Sequence, residues 1–153
     1  MTVPLATVLD GDLSQALREV YEHMREGFAY CQMIAEDGEG CDFIYLAVNS
    51  AFETLTGLRN VVGRRATEAI PGIRETDPEL LQTYARVART GVAEKFEMFV
   101  EGLQEWFSVS AYSPKKDHFA AVFDVVTERK QMEKALRESE QAMRALFDEA
   151  PLP

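Results

Sequence analysis

Two cysteines, Cys31 and Cys41, and two histidines, His23 and His118, are the residues best suited to nucleophilic, redox or metal chemistry in this 153-residue chain. Their spacing favours none of these. His23 falls beside the apolar stripe of a helical segment, and His118 falls in the turn "KKDHF". Neither stands at a recognisable spacing from a serine or cysteine nucleophile, and no HExxH sequence or Walker-type glycine loop occurs. Both read as surface or capping histidines. The cysteines lack the CxxC or metal-type clustering that would mark a redox pair, and read as reduced thiols of a cytosolic protein. They fall on neighbouring predicted strands whose register the sequence leaves open, so no disulfide is assigned.

The bulk numbers narrow the field further. A net charge of −10 repels phosphate backbones and argues against nucleic acid as a partner. With 46% apolar residues a real core can form. No apolar run approaches the roughly 18 residues of a membrane span, and Met1–Asp10 has no basic start or long apolar stretch of a signal peptide. A cytoplasmic location without membrane contact is the expectation.

The elements that would position any site follow from periodicity. Residues 1–26 read as a loose terminus leading into an amphipathic helix, with Leu13, Leu17, Val20, Tyr21 and Met24 at spacings of three and four, a cap at Asp12 or Ser14, and a stop at Gly27. Phe28–Ala35 and Cys41–Val48 read as a hairpin around "EDGEG". Asn49 or Ser50 caps a short helix that Gly57 ends. Helix fragments broken by Gly63, Pro71 and Gly72 follow. A longer helix comes next, with Asp77 as cap, Pro78 at its first position, and Leu80, Tyr84, Val87 and Ala88 along one stripe. Ala93–Glu101, Gln104–Ser113 and Phe119–Val126 read as strands. Helices between two groups of antiparallel strands predict an α+β domain with its helices on one sheet face.

Thr127 ends the last strand and can cap a final, highly charged helix. Met132, Leu136, Ser139, Met143 and Leu146 recur along that helix at alternating spacings of four and three, a heptad seam with one weak polar member. A stripe that narrow suits a partner helix better than a globular core. Residues 128–148 are therefore expected to form a coiled coil in a homodimer.

The stretches "VNSAFETLTGL", "VVGRRATEAIPGI", "EWFSVSAYSP" and "FAAVFDVVTERKQMEKAL" occur in the order and spacing of one family. From about Leu13 to Leu146 the chain resembles a bacterial PAS sensor domain. The resemblance implies the PAS fold over residues 27–127: a five-stranded antiparallel sheet with short helices on one face, flanked by the N-terminal amphipathic helix and the C-terminal signalling helix. The junction "VVTERK" resembles the family's Asp-Ile-Thr-Glu-Arg-Lys signature, with Val125 in the aspartate's place and Asp124 one position early. Asp124, Val125, Thr127, Glu128 and Arg129 are thus the signal junction that the resemblance implies. "LRESEQAMRALFDEAPLP" resembles the lead-in to another PAS domain, which would place the start of a following domain at 149–153.

What the family binds sets the cofactor expectations. Haem-binding members use an axial histidine on the helix before the third strand, and "DPELLQTYARVART" has none. Flavin photoreceptors carry an Asn-Cys-Arg sequence; "LRNVVGRR" has Val61 where that cysteine would stand, so no thiol is there for an adduct. The identity of any ligand stays open, and a small organic molecule is the candidate. Aligned to the family pattern, Phe96, Met98, Ser108, Ser110 and Phe123 face the helices, and Tyr30 and Tyr84 close the pocket, giving two hydroxyls amid aromatic walls. A filled core would use the same residues. The inward faces hold no titratable carboxylate or histidine, so no catalytic role is expected. The reading is a sensory domain that passes a ligand-, redox- or partner-induced change through the coiled coil to an output domain of the same chain, a sensor histidine kinase first. The alternatives are the input domain of a GGDEF/EAL cyclic-dinucleotide enzyme and a ligand-free dimerisation module.

Overall fold

Asn49 illustrates how this chain turns local sequence into architecture. Its side-chain oxygen accepts from the Phe52 amide as an N-cap (3.0 Å) and also from the Phe28 amide (2.9 Å). Its amide nitrogen donates to the carbonyls of Tyr21 (3.0 Å) and Glu26 (3.1 Å). Of the two capping residues the sequence allows, Asn49 is the one used; Ser50 instead donates to Glu22 (2.7 Å). One buried amide thus joins the first helix, the first strand and the second helix.

The computed structural model describes residues 14–36 and 40–149. Within them run α1 (Ser14–His23), β1 (Gly27–Glu36), β2 (Gly40–Val48), α2 (Ser50–Thr56), α3 (Ala66–Ala69), α4 (Ile73–Thr76), α5 (Pro78–Thr90), β3 (Glu94–Val100), β4 (Glu105–Tyr112), β5 (His118–Val125) and α6 (Thr127–Glu149). The cap at Asp12, the middle of the "EDGEG" turn and the segment from 150 onward lie outside the described residues. The first helix stops at His23, short of Gly27, and Gly27 opens the first strand instead.

The five strands form one antiparallel sheet in the order β2-β1-β5-β4-β3, with β5 at its centre. An irregularity at Tyr30/Cys31 lets β2 gain a residue on β1, so Ala29 pairs with Val48 but Cys31 with Tyr45. α2 to α5 cover one face. Phe43, Tyr45, Phe107, Val109, Phe119, Ala121 and Phe123 from that face meet Phe52, Ile73, Leu81, Tyr84 and Val87 from the helices in one core. The two cysteines are free thiols, Cys31 wholly buried and Cys41 donating to the Leu81 carbonyl at 3.6 Å.

Asp77 departs from its expected capping role. It sits at the N-cap of α5 but makes no side-chain cap bond; its carboxylate accepts the Glu101 (2.9 Å) and Gly102 (3.1 Å) amides of the β3–β4 turn. At Gly102 an added Cβ would stand 2.5 Å from Ile73's neighbour Ile70 at its Cγ2 atom, so the turn packs flush on the helix layer.

Candidate functional site

A cavity of about 60 Å³ lies between the sheet and the helices. Its wall takes Ala29 and Cys31 from β1, Tyr45 from β2, Tyr84 from α5, Phe107 from β4 and Phe123 from β5, among other apolar residues. Rings dominate it. Tyr84 stacks on Phe119 (4.3 Å between centroids), and Phe123 meets Phe52 and Phe107 edge-on (5.8 and 5.5 Å).

Of the residues that the sequence assigned to the pocket, Tyr84 and Phe123 stand in the wall. Phe96 and Met98 pack against the core from the same sheet face but do not line the cavity. Ser108 and Ser110 are a correction. On β4 the buried positions are Phe107, Val109 and Ala111, and the two serines alternate with them on the outer face. The larger apolar set takes the core because its burial is worth more than that of two hydroxyls, which water solvates on the open face. Tyr30 is a second correction. It pairs with Ala120 on the outer face and stacks on His118 at 5.7 Å, because the inner face of β1 has room only for the small Ala29 and Cys31 beneath the rings of Phe43, Phe119 and Tyr84.

Tyr45 and Cys31 were missed. Cys31, Tyr45 and Tyr84 are the wall's titratable groups, and burial pushes all three above their ordinary values. All three are therefore protonated at neutral pH, which disfavours a nucleophilic role.

Of the junction residues that the resemblance implies, Thr127 and Arg129 make the contacts that hold α6, and Asp124, Val125 and Glu128 do not. Asp124 is exposed and its carboxylate accepts its neighbour's amide, from Val125, at 2.9 Å. Val125 packs against the core and Glu128 is exposed. The pinning falls to two glutamates on the third and fourth strands. Glu97 accepts from Arg129 and pairs with Lys130 at 2.8 Å; Lys130 also lies 5.2 Å over the Trp106 ring. Thr127 donates to Glu105 and accepts from the Trp106 amide at 2.8 Å, while the Val126 amide donates to the Trp106 carbonyl at 2.8 Å. Hydrogen bonds from Lys130 and then Arg129 hold the Glu97 carboxyl below the usual carboxylate range. The signal for Glu97 was present in the sequence: it alternates with Phe96 and Met98, so it had to face outward, toward the outgoing helix.

The proposed seam is open. Met132 (66%), Leu136 (61%), Met143 (57%) and Leu146 (70%) are exposed, as is Ser139. Phe147 (78% exposed) adds to this apolar strip. His23 and His118 bond only to nearby backbone carbonyls, of Glu19 (2.8 Å) and Lys116 (2.9 Å). No group of three or more His, Cys, Asp or Glu among the described residues could hold a metal ion, and no helix among them is long and apolar enough to cross a membrane.

Comparison with solved structures places this architecture. An RNA-binding light-oxygen-voltage receptor superposes with a TM-score of 0.61 at 20% identity, over 93% of this chain. A domain of an HTR-like protein from Haloarcula marismortui superposes with a TM-score of 0.50 at 19% identity, over 68% of this chain and 100% of its own length. The PAS domain of BvgS from Bordetella pertussis aligns with a TM-score of 0.43 at 12% identity, over 86% of this chain and 99% of its own. No family model matches the chain, and no curated protein matches it. The fold is the PAS fold, a five-stranded antiparallel sheet with helices on one face. The chain spans 40% of the length of the light-oxygen-voltage receptor.

The Asn-Cys-Arg comparison made on the sequence raises the question of a flavin here. Val61, at the position the flavin thiol would need, is buried at 2% exposure, and a cavity of about 60 Å³ has room for a few heavy atoms, not a tricyclic ring system. The residues present do not fit the group.

Proposed function

We propose that the chain is a sensory module that reads the occupancy of its internal cavity and passes the result to an output domain through α6, paired with the α6 of a second copy. The observation that carries this reading is the double position of Phe123. Its ring stands in the cavity wall, and its backbone lies four residues before Thr127, where α6 begins. A ligand that moves the ring moves the strand from which the helix springs.

The exposed strip from Met132 to Phe147 supports pairing: monomeric proteins rarely leave so many large apolar side chains in line on one helix. Arg129, Lys130 and Thr127 fix the helix's angle to β3 and β4, so a change in the sheet changes helix phase rather than being absorbed in a hinge. The output domain in this reading is a sensor histidine kinase, and the switch needs a coupling of roughly 1–3 kcal/mol between cavity and helix pair.

The test has two parts. Sedimentation of the chain should show a dimer that dissociates when Met132 and Leu136 are both replaced by Glu. In a fusion to an output domain, one residue inserted between Thr127 and Met132 should invert or abolish the response, because it rotates the seam by about 100°. A monomer at all concentrations, or a response indifferent to the insertion, would count against the reading.

A further inference from the structure

Besides the Cys31 thiol and the Thr56 hydroxyl, which donates to the Phe52 carbonyl (2.6 Å) and accepts from the Leu58 amide (3.1 Å), the cavity wall is polar only where Tyr45 and Tyr84 meet it. Both residues are more than nine-tenths buried, at 4% and 8% exposure, and Cys31 beside them is at 0%. Buried tyrosine hydroxyls ordinarily find an acceptor, because leaving one unpaired costs free energy. Here no hydrogen bond to Tyr45 Oη or Tyr84 Oη occurs among the described residues, and neither oxygen is among the fully enclosed unpaired atoms, so each borders accessible space rather than packed atoms. The two come from different elements, β2 and α5, and converge on the same void, near enough that each electrostatically feels Cys31 and Tyr45 also feels Tyr84. Other buried polar groups of this chain show the contrast. Asp42, at 0% exposure, accepts from the Thr67 hydroxyl at 2.7 Å and the Phe43 amide at 2.9 Å, and Asn49 makes its full set of bonds. Tyr21 Oη is also enclosed without a partner, but it packs beside Phe28 and takes no part in the cavity wall.

We propose that the cavity takes a small neutral molecule of a few heavy atoms, apolar in its body, whose single hydrogen-bond acceptor, such as a carbonyl oxygen, is held by the Tyr45 and Tyr84 hydroxyls. Three features select this class. The volume, about 60 Å³, excludes flavins, haem and nucleotides. Rings and aliphatic groups line the rest of the wall, with no carboxylate, ammonium or guanidinium among the lining residues, so a charged ligand would lose its hydration without compensation. The free polar groups are donors, so the ligand must bring the acceptor. The inference rests on the sensory reading above, which needs the cavity to be a ligand site.

Acetone and isobutene, equal in shape and different in having or lacking the acceptor, are the probes. The readout is methyl ¹H–¹³C NMR of the cavity-wall residues Ala29, Ala121, Val109 and Ile73. Acetone should shift these methyls saturably, and isobutene should bind at least about tenfold more weakly, since a site built to pair a polar group rejects the analogue lacking it. In a Tyr45→Phe, Tyr84→Phe double variant that preference should shrink to about twofold or less, while the melting temperature stays level or rises, because deleting an unpartnered hydroxyl removes no bond. A fall in melting temperature would show the hydroxyls to be structural and overturn the assignment. Equal binding of both probes to the unaltered chain would overturn the ligand class while leaving the cavity as a site. No shift with either probe would overturn both this inference and the sensory reading beneath it.

Discussion

Gly27 and Phe123 face each other across β1 and β5 with no room for a side chain between them. A Cβ added at Gly27 would stand 2.4 Å from Phe123 Cζ and under 3 Å from two further ring atoms. The glycine is there because a ring lies flat over its backbone, and that ring is part of the cavity wall. Replacing Gly27 by Ala must displace the ring, and the open direction is into the cavity. Gly27→Ala is expected to cost about 1–3 kcal/mol, the range for overpacking a core. Urea unfolding measures it, and a change under about 0.5 kcal/mol would mean that the ring is not held in place.

Asn49→Ala removes four side-chain hydrogen bonds at once, to Phe28, Phe52, Tyr21 and Glu26. At about 1 kcal/mol for each of these bonds in the buried state, a loss of roughly 2–4 kcal/mol is expected by urea unfolding. The loss should be uneven. α1 is exposed except at Tyr21, which packs on Phe28, and has Asn49 and the Ser50–Glu22 bond as polar ties to the domain, so its amides should exchange with solvent faster in the variant while those of β5 change little.

The clasp at Glu97 has a defined pH dependence. Hydrogen bonds from Lys130, and next from Arg129, lower its folded pKa below the ordinary 4.5. A depressed carboxyl stabilises the fold above its unfolded value and loses that contribution as pH falls through the folded value. The clasp should therefore be whole at neutral pH and open only in acid, below the ordinary carboxylate range. Carboxyl ¹³C NMR should show Glu97 titrating below the ordinary glutamate value of 4.5. In Glu97→Gln, amide exchange in the first turn of α6 should quicken. Molar salt should have the same direction of effect, as for any solvent-exposed pair.

The two thiols should differ in reactivity. Cys31 is wholly buried and its pKa is pushed well up by desolvation, whereas Cys41 is half-buried. Alkylation by iodoacetamide under native conditions, followed by mass spectrometry, should modify Cys41 at least about tenfold faster than Cys31, which reacts only when the core opens. Equal rates would place Cys31 within reach of solvent.

The fold was legible in the sequence because its signals are local and agree with one another. Apolar runs bounded by turn residues marked all five strands, Gly57 and Gly91 stand in the left-handed conformation at helix ends (φ 76° and 73°), and Pro78 opens α5. What local reasoning could not supply was the face on which two strands carry their side chains. β4 offered two alternating sets, and the family pattern favoured the serines where volume and burial favoured Phe107, Val109 and Ala111. On β1 the choice between Tyr30 and Cys31 depended on how much space Phe43, Phe119 and Tyr84 already filled, a quantity that belongs to the assembled core. The partners of Asp77, Glu97 and Glu105 lie some twenty or more residues away along the chain, so their roles became visible only when the sheet brought them together.

The grip of Asp77 on the β3–β4 turn has a mechanical corollary. α5, which bears Tyr84, is bolted through that carboxylate to the hairpin that bears Glu97, and Glu97 holds the root of α6. The cavity and the outgoing rod are therefore joined along two lines in parallel, one through the central strand and one around the rim. In the proposed sensory role, a structure braced on both sides would tilt as a unit, and severing either line would leave the other to carry the motion.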